Sequence, residues 1–207
     1  MANETKAKRV RLQTPVFRVS FPNLFTPRTY GDNEPKYSVS AIVDKKLTGR
    51  DRELMVALKK AVEKCAIDKF GEAAFQKMRK LGQFKWPFRD GEEKDLDGYG
   101  PGKIFFTLSS KMAPGVIGRN KEPLKEEDVY AGCYARATVS PYEFDNKSKG
   151  VALGLNNLQK VGEGEAFSQR IAAEEDFDEV DDSVWVDDYV ADMPDGAPEG
   201  ADDDLFT

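Results

Sequence analysis

Apolar and polar side chains alternate in several short segments of the chain, and one longer stretch switches to helical spacing. Within residues 9–21, Phe17, Val19 and Phe21 alternate with Val16, Arg18 and Ser20, the period of two expected of a half-buried strand. Residues 36–44 repeat the pattern, with Tyr37, Val39, Ala41 and Val43 against Lys36, Ser38, Ser40 and Ile42. Between them PNLFTPRTYGDNEP holds three prolines and a glycine, which predicts a long loop. Residues 50–66 place Leu54, Leu58, Ala61, Val62, Cys65 and Ala66 on one face, with Glu53, Lys59, Lys60, Glu63 and Lys64 on the other. That spacing predicts an amphipathic helix. Gly71 interrupts it, and residues 72–81 predict a second, shorter one. Residues 82–102, with five glycines and two prolines, are rich in turns. Strands are expected again at 103–109, at about 129–144 and at 151–161. The set predicts a mainly β fold: an OB-fold-like, five- to six-stranded antiparallel Greek-key barrel with one inserted helical segment. The barrel is expected over residues 9–165, with residues 1–8 and 166–207 disordered.

Charge changes this picture. The chain has 207 residues and a formal net charge of −6. Of its 37 acidic side chains, 15 lie beyond residue 171, while all 31 basic ones precede it, so residues 1–171 carry 22 acids and a net charge of +9. A basic body with an acidic appendage is the asymmetry of a nucleic-acid binder. There is no histidine, so histidine-dependent triads and histidine zinc sites are excluded. Cys65 and Cys133, the two cysteines, make no disulfide framework and read as small buried hydrophobes. No apolar run approaches the ~20 residues of a membrane span, and the first residues lack a signal-peptide core. The expectation is a soluble, intracellular protein without a membrane role.

The candidate chemistry lies on the strands. In Tyr134 to Phe144, one face carries Tyr134, Arg136, Thr138, Ser140, Tyr142 and Phe144, and the other Ala135, Ala137, Val139 and Pro141. Small apolar residues suit a core. Aromatic rings on the polar face beside arginine suit base stacking, with basic neighbours taking phosphates. Tyr142, Phe144 and Tyr134 are therefore stacking candidates, weighed against a cross-strand aromatic pair or a face covered by the helix. In 103–109, Ile104, Phe106 and Leu108 read as core, leaving Phe105 beside Lys103 as a further candidate. The segment Phe84-Lys85-Trp86-Pro87-Phe88-Arg89 interleaves aromatic and basic residues. Trp86 either lines a groove or plugs a barrel end, and Lys85 and Arg89 could meet phosphate. Lys147 and Lys149, in a hairpin loop after Phe144, are weighed as backbone clamps against ordinary surface lysines.

Other constellations fail on spacing. Asp95, Asp97 and Gly100 fit calcium-loop positions one, three and six, but Tyr99 and Phe106 occupy positions five and twelve, where oxygen ligands are needed. Gly98, Gly100 and Gly102 make neither a GxGxxG pattern nor a phosphate-binding loop, since Gly102-Lys103 is followed by Ile104 and not by serine or threonine. Asp90, Glu92 and Glu93 could in principle hold magnesium, but a solvated loop is the simpler reading. No cofactor, metal site or catalytic residue is expected. The acidic segment from Ala172 spaces out Phe177, Trp185, Tyr189 and Phe206, a pattern suited to docking motifs in which a ring enters a pocket and acids meet a basic rim.

The stretches Ala131-Gly-Cys-Tyr-Ala-Arg-Ala-Thr-Val-Ser-Pro-Tyr-Glu-Phe144 and Gly150-Val-Ala-Leu-Gly-Leu-Asn-Asn-Leu-Gln-Lys-Val161, with the acidic ending Asp202-Asp203-Asp204-Leu205-Phe206-Thr207, resemble the single-stranded DNA-binding proteins of tailed phages. The resemblance spans about residues 9–165 and is greatest to a family formerly filed as a domain of unknown function. It implies stacking by Tyr142 and Phe144, and a tail in which Asp202, Asp203, Asp204, Leu205 and Phe206 dock partners and can occupy an empty DNA groove. Expected partners are single-stranded DNA and phage or host replication proteins such as a polymerase, helicase or primase, or recombinase, in the cytoplasm of the infected bacterium. Self-association is compatible with this reading. It competes with a DNA-mimicking or protein-docking inhibitor acting through the acidic segment, and with a magnesium-dependent nuclease using the acids near residue 90.

Overall fold

The structure, a computed structural model, describes residues 10–29, 31 and 34–167, all within one compact unit, Met1–Gln169. In chain order its elements are β1 (Leu12–Gln13), β2 (Phe17–Arg28), β3 (Lys36–Asp44), α1 (Gly49–Phe70), α2 (Glu72–Lys80), β4 (Phe84–Lys85), β5 (Arg89–Asp90), β6 (Lys103–Ser110), β7 (Gly115–Ile117), β8 (Tyr134–Asp145) and β9 (Lys149–Gly162).

Five of these strands close a ring. β2 pairs antiparallel with β3, and β3 with β6 over Tyr37–Asp44 and Lys103–Ser110. β6 meets β9 in parallel at Leu108 and Ser109. β9 pairs with β8 along almost its whole length, and β8 returns to β2 through Phe17↔Ala135 and Arg18↔Tyr134. A closed five-stranded barrel with one parallel contact between its third and last strands is the OB topology. Closure leaves no long open edge; β1, β4, β5 and β7 are short additions to it.

Alternation fills the barrel. Phe17, Val19, Val39, Ala41, Phe106, Leu108, Ala135, Ala137, Val139, Leu153 and Leu155 point inward and are buried. Helix α1 contributes Met55, Leu58, Val62 and Ala66 to the same core, and Phe75 of α2 joins them. α1 ends at Gly71, whose φ of 78° is left-handed and whose N–H reaches the Ile67 carbonyl at 2.8 Å; glycine alone takes that turn without strain. No helix among the described residues is long and apolar enough to cross a membrane.

Three local expectations are corrected. The segment read as a loop after Phe21 continues as strand to Arg28; its prolines are accommodated by irregular register between Ser20 and Asn23 and again before Arg28, the tolerance strands have for proline at bulges. The strand read over 9–21 is broken at 14–16, where the Thr14 hydroxyl accepts the Ala137 N–H at 2.9 Å and Pro15 has no N–H to pair. The strand expected from 129 begins at Tyr134.

Candidate functional site

The outer face of β2, β3 and β6 forms a groove. Ser38, Ser40, Thr107 and Ser109 make its floor, because every second residue of β3 and β6 points away from the core. At one end the segment from Arg89 to Gly100 folds over this face: β5 pairs with Phe105 and Ile104 of β6, and the Tyr99 hydroxyl bonds Ser20 Oγ at 3.1 Å. Gly91 packs so closely on Gly100 that a Cβ there would lie 2.6 Å from the Gly100 carbonyl oxygen, so this roof depends on a residue without a side chain.

Phe21 stands in the middle of the groove. Its φ is 48°, a left-handed conformation that is a genuine outlier for a bulky residue, and it precedes Pro22, which adds its own restriction. The irregularity turns the ring away from the barrel, so Phe21 is 47% exposed while Phe17 and Val19 are buried. The alternation that groups it with Phe17 and Val19 on one side therefore does not hold at this residue. The ring borders two cavities: one of about 550 Å³ shared with Tyr99, Leu96, Arg28 and Phe167, and one of about 510 Å³ shared with Lys36, Lys94, Thr107 and Ser109. Sequence reasoning missed this residue. The available signal was Pro22 inside a strand pattern, which marks a bulge.

Lys94 adds charge at the same point. Its ammonium lies 5.1 Å from the Phe21 ring centre and 4.9 Å from both the Tyr99 and the Phe105 centres, a cation shared by three ring faces. Phe105 itself, expected to stack on bases, is buried at 1% exposure. Tyr99 packs edge-on against it at 5.2 Å and the Arg89 guanidinium covers it at 4.9 Å. Its face was read correctly from the alternation, but the roof closes over it, so a base cannot reach it in this conformation.

The other candidates fall into three groups. Tyr142 and Phe144 are half-buried at the far end of β8, opposite Ala152 and Gly150. Phe144 lies over Gly150, where a Cβ would come within 2.6 Å of its ring, and Tyr142 lies beside Gly154. Lys85 of β4 meets Phe144 over the same glycine, while Lys147 and Lys149 are exposed in and after the adjoining turn. Lys149 is paired to Asp145 at 3.2 Å. Trp86 is half-buried. It packs in a cluster with Phe75, Phe84 and Phe88 at ring distances of 5.8–6.3 Å under the Arg79 guanidinium, and it also borders a depression of about 460 Å³ with Lys85, Arg89 and Thr107. Tyr134 lies at the opposite end of β8, 38% exposed, with the Arg18 guanidinium 4.9 Å from its ring.

Several cations are already engaged. Lys103 binds Asp44 at 2.6 Å, Arg136 bonds Gln159 Oε1 at 2.8 and 2.9 Å, and Arg89 holds Glu93. Lys45 pairs with Asp90 at 2.6 Å, and these hydrogen bonds hold the Asp90 and Glu93 carboxyls below their usual range. Of the three acids weighed as a magnesium site, Asp90 and Glu93 are thus bound into ion pairs. Cys65 donates to Glu143 at 3.7 Å; burial first and Glu143 second push its thiol up to about 11, which leaves it protonated at neutral pH. Asp202, Asp203, Asp204, Leu205 and Phe206 lie outside the described residues.

A closed OB barrel whose open face is an aromatic, cationic and hydroxyl-lined groove defines an OB-fold protein with an extended surface site. Its sequence places it more narrowly. Residues 9–188 match the family described as the single-stranded DNA-binding protein of Enterobacter phage Enc34, and the chain belongs to that family. Protein p50 of Acyrthosiphon pisum secondary endosymbiont phage 1 is 33% identical over 170 residues, covering 79% of this chain and 90% of that protein. Among solved structures, the bacteriophage Enc34 single-stranded DNA-binding protein in complex with single-stranded DNA superposes with a TM-score of 0.62 at 20% identity, over 78% of this chain and 97% of that one. The single-stranded DNA-binding protein gp2.5 of bacteriophage T7 gives 0.54 at 15% identity, over 86% and 99%. At these identities the structural likeness is one of fold.

Proposed function

We propose that this protein binds single-stranded DNA without strong sequence preference and coats and protects it during phage DNA replication, recombination and repair. The observation that carries this reading is the groove on β2, β3 and β6, where Phe21, Tyr99 and Lys94 stand above a floor of hydroxyls. Rings offered on an open face stack on unpaired bases, and adjacent cations neutralise phosphate. Membership of the Enc34 family supports the same ligand. The hairpin end with Tyr142, Phe144, Lys85, Lys147 and Lys149 extends the path, and Trp86 and Arg89 border it. Tyr134, Arg136 and Lys103 are secondary contacts that a strand reaches by replacing Arg18, Gln159 and Asp44 respectively.

The acidic segment 172–207, ending in Asp202 to Phe206, is the proposed docking element for phage or host replication proteins, in the cytoplasm of the infected cell. A fluorescence titration with single-stranded and duplex oligonucleotides of equal length tests the central claim. Tighter binding of the single strand at the same salt is expected. Equal affinity for the two overturns it, because stacked rings cannot reach paired bases.

A further inference from the structure

We propose that Phe21 is a stacking platform for one unpaired base and that it divides the groove into two nucleotide subsites, one in each flanking cavity. The proposal rests on the single-stranded DNA reading above and assigns that ligand a place.

Three independent features meet at this residue. The first is strain: a phenylalanine at φ 48° before proline persists only where the surroundings impose it, and such outliers concentrate at ligand sites. Alternation from Phe17 and Val19 would have buried the ring; the strained residue instead presents it to solvent. The second is position. Phe21 borders both cavities, and their volumes of about 550 and 510 Å³ fall in the range of roughly 300–1,000 Å³ that small-ligand sites occupy. A ring standing between two such cavities can stack with a base and interrupt the stacking between that base and the next one. The third is charge. The Lys94 ammonium lies 5.1 Å from the Phe21 ring centre, within reach of the phosphate that joins two nucleotides lying to either side. Arg28 borders both cavities as well, with Lys36 beside it in the second, while Asp97 and Glu126 line the first and Glu34 the second; the cations therefore gather at Phe21 and on the Lys94 side of it.

The roles separate by what each side chain offers. Phe21 has no polar atom and can contribute only its ring, whereas Lys94 and Arg28 see the backbone whatever bases it carries. Phe105 stays structural, enclosed by Tyr99 and Arg89.

The test compares the full-length protein with Phe21→Gly and Phe21→Trp, each titrated with a single-stranded oligonucleotide and with an abasic strand of the same length. Glycine takes φ 48° without strain, so Phe21→Gly keeps the fold, as a melting curve will check. Its affinity for the normal strand is expected to fall about 5- to 150-fold, the effect of losing one stacked base. Its affinity for the abasic strand is expected to match the wild type. Phe21→Trp is expected to restore binding, with a tryptophan quench beyond that of the wild type, which already carries Trp86 and Trp185, on the normal strand and not on the abasic one. Unchanged affinity in Phe21→Gly, or an equal loss on both strands, overturns the platform. Wild-type protein that binds no single-stranded DNA overturns the underlying reading as well, and that result is distinct from either of the others.

Discussion

At the scale of single residues, exposure separates the aromatics that can meet a base from those that hold the barrel together. Tyr142 and Phe144 keep one face toward solvent while the other lies on a glycine of β9. Tyr142→Ala and Phe144→Ala are each expected to cost about 1–3 kcal/mol in single-stranded DNA binding, with only a modest fall in melting temperature. Leu58 is fully buried under the barrel, so Leu58→Ala is expected to cost about 2–5 kcal/mol of folding stability. Its DNA affinity, measured where the variant is still folded, should be unchanged. A melting temperature that collapses in Phe144→Ala as it does in Leu58→Ala would place that ring in the core. The alternation Phe105/Phe106 was legible in the sequence as two opposite faces, and both rings do point to opposite faces. The sequence period says which side a residue takes, but not what covers that side. The roof over Phe105 comes from residues 89–100, a contact without local periodicity. Phe21 was hidden for a different reason: its direction is set by a left-handed backbone angle, which no hydrophobic pattern encodes.

At the scale of elements, long periodic segments were readable and short ones were not. α1, β3, β6 and β9 follow their patterns closely, because each is long enough to show its period, although β3 is buried on both faces from Ser38 to Val43. β4, β5 and β7 have two or three residues each, too few to show any period, and they exist because longer neighbours offer them hydrogen bonds. The β8–β9 hairpin shows how an element depends on side chains that are absent. At Gly150 a Cβ would lie 2.5 Å from the Lys85 carbonyl oxygen and 2.6 Å from the Phe144 ring, so Gly150→Ala must push β4 or Phe144 aside. At Gly154 the nearest atoms are the Ser140 carbonyl oxygen at 3.2 Å and the Tyr142 ring at 3.6 Å, which small shifts accommodate. Gly150→Ala is therefore expected to lower the melting temperature clearly more than Gly154→Ala. Because Gly150→Ala also displaces Phe144 and Lys85, it should weaken DNA binding in proportion. The reverse order of melting temperatures would show that β4 yields freely and that Phe144 is not fixed by the glycine beneath it.

At the scale of the whole molecule, the separation of charge along the chain predicts competition. Residues 1–171 carry a net +9 and the remaining 36 residues carry 15 acids without a basic side chain. Each phosphate that the groove neutralises releases condensed counterions, giving a slope of about −0.7 per contact in log K against log salt for single strands. If the acids reach the groove, they are expected to compete for the same cations, including Lys94 and Arg28, from a position on the same chain. Tethered groups reach effective concentrations near millimolar, and their attraction is Coulombic, screened over about 8 Å at physiological ionic strength. Removing residues 172–207 is therefore expected to raise single-stranded DNA affinity, most at low salt, and to steepen the salt slope, because the truncated protein no longer has a competitor that salt also weakens. The barrel should melt as before, since the core residues among those described run from Phe17 to Leu158. Phe206→Ala in the full-length chain separates the two proposed tasks of the segment: all 15 acids remain, so DNA affinity should stay at the wild-type value, while binding to replication partners should fall. Equal DNA affinities for the full-length and truncated proteins across the salt range would show that the acids never reach the groove, and would leave the segment with partner docking alone.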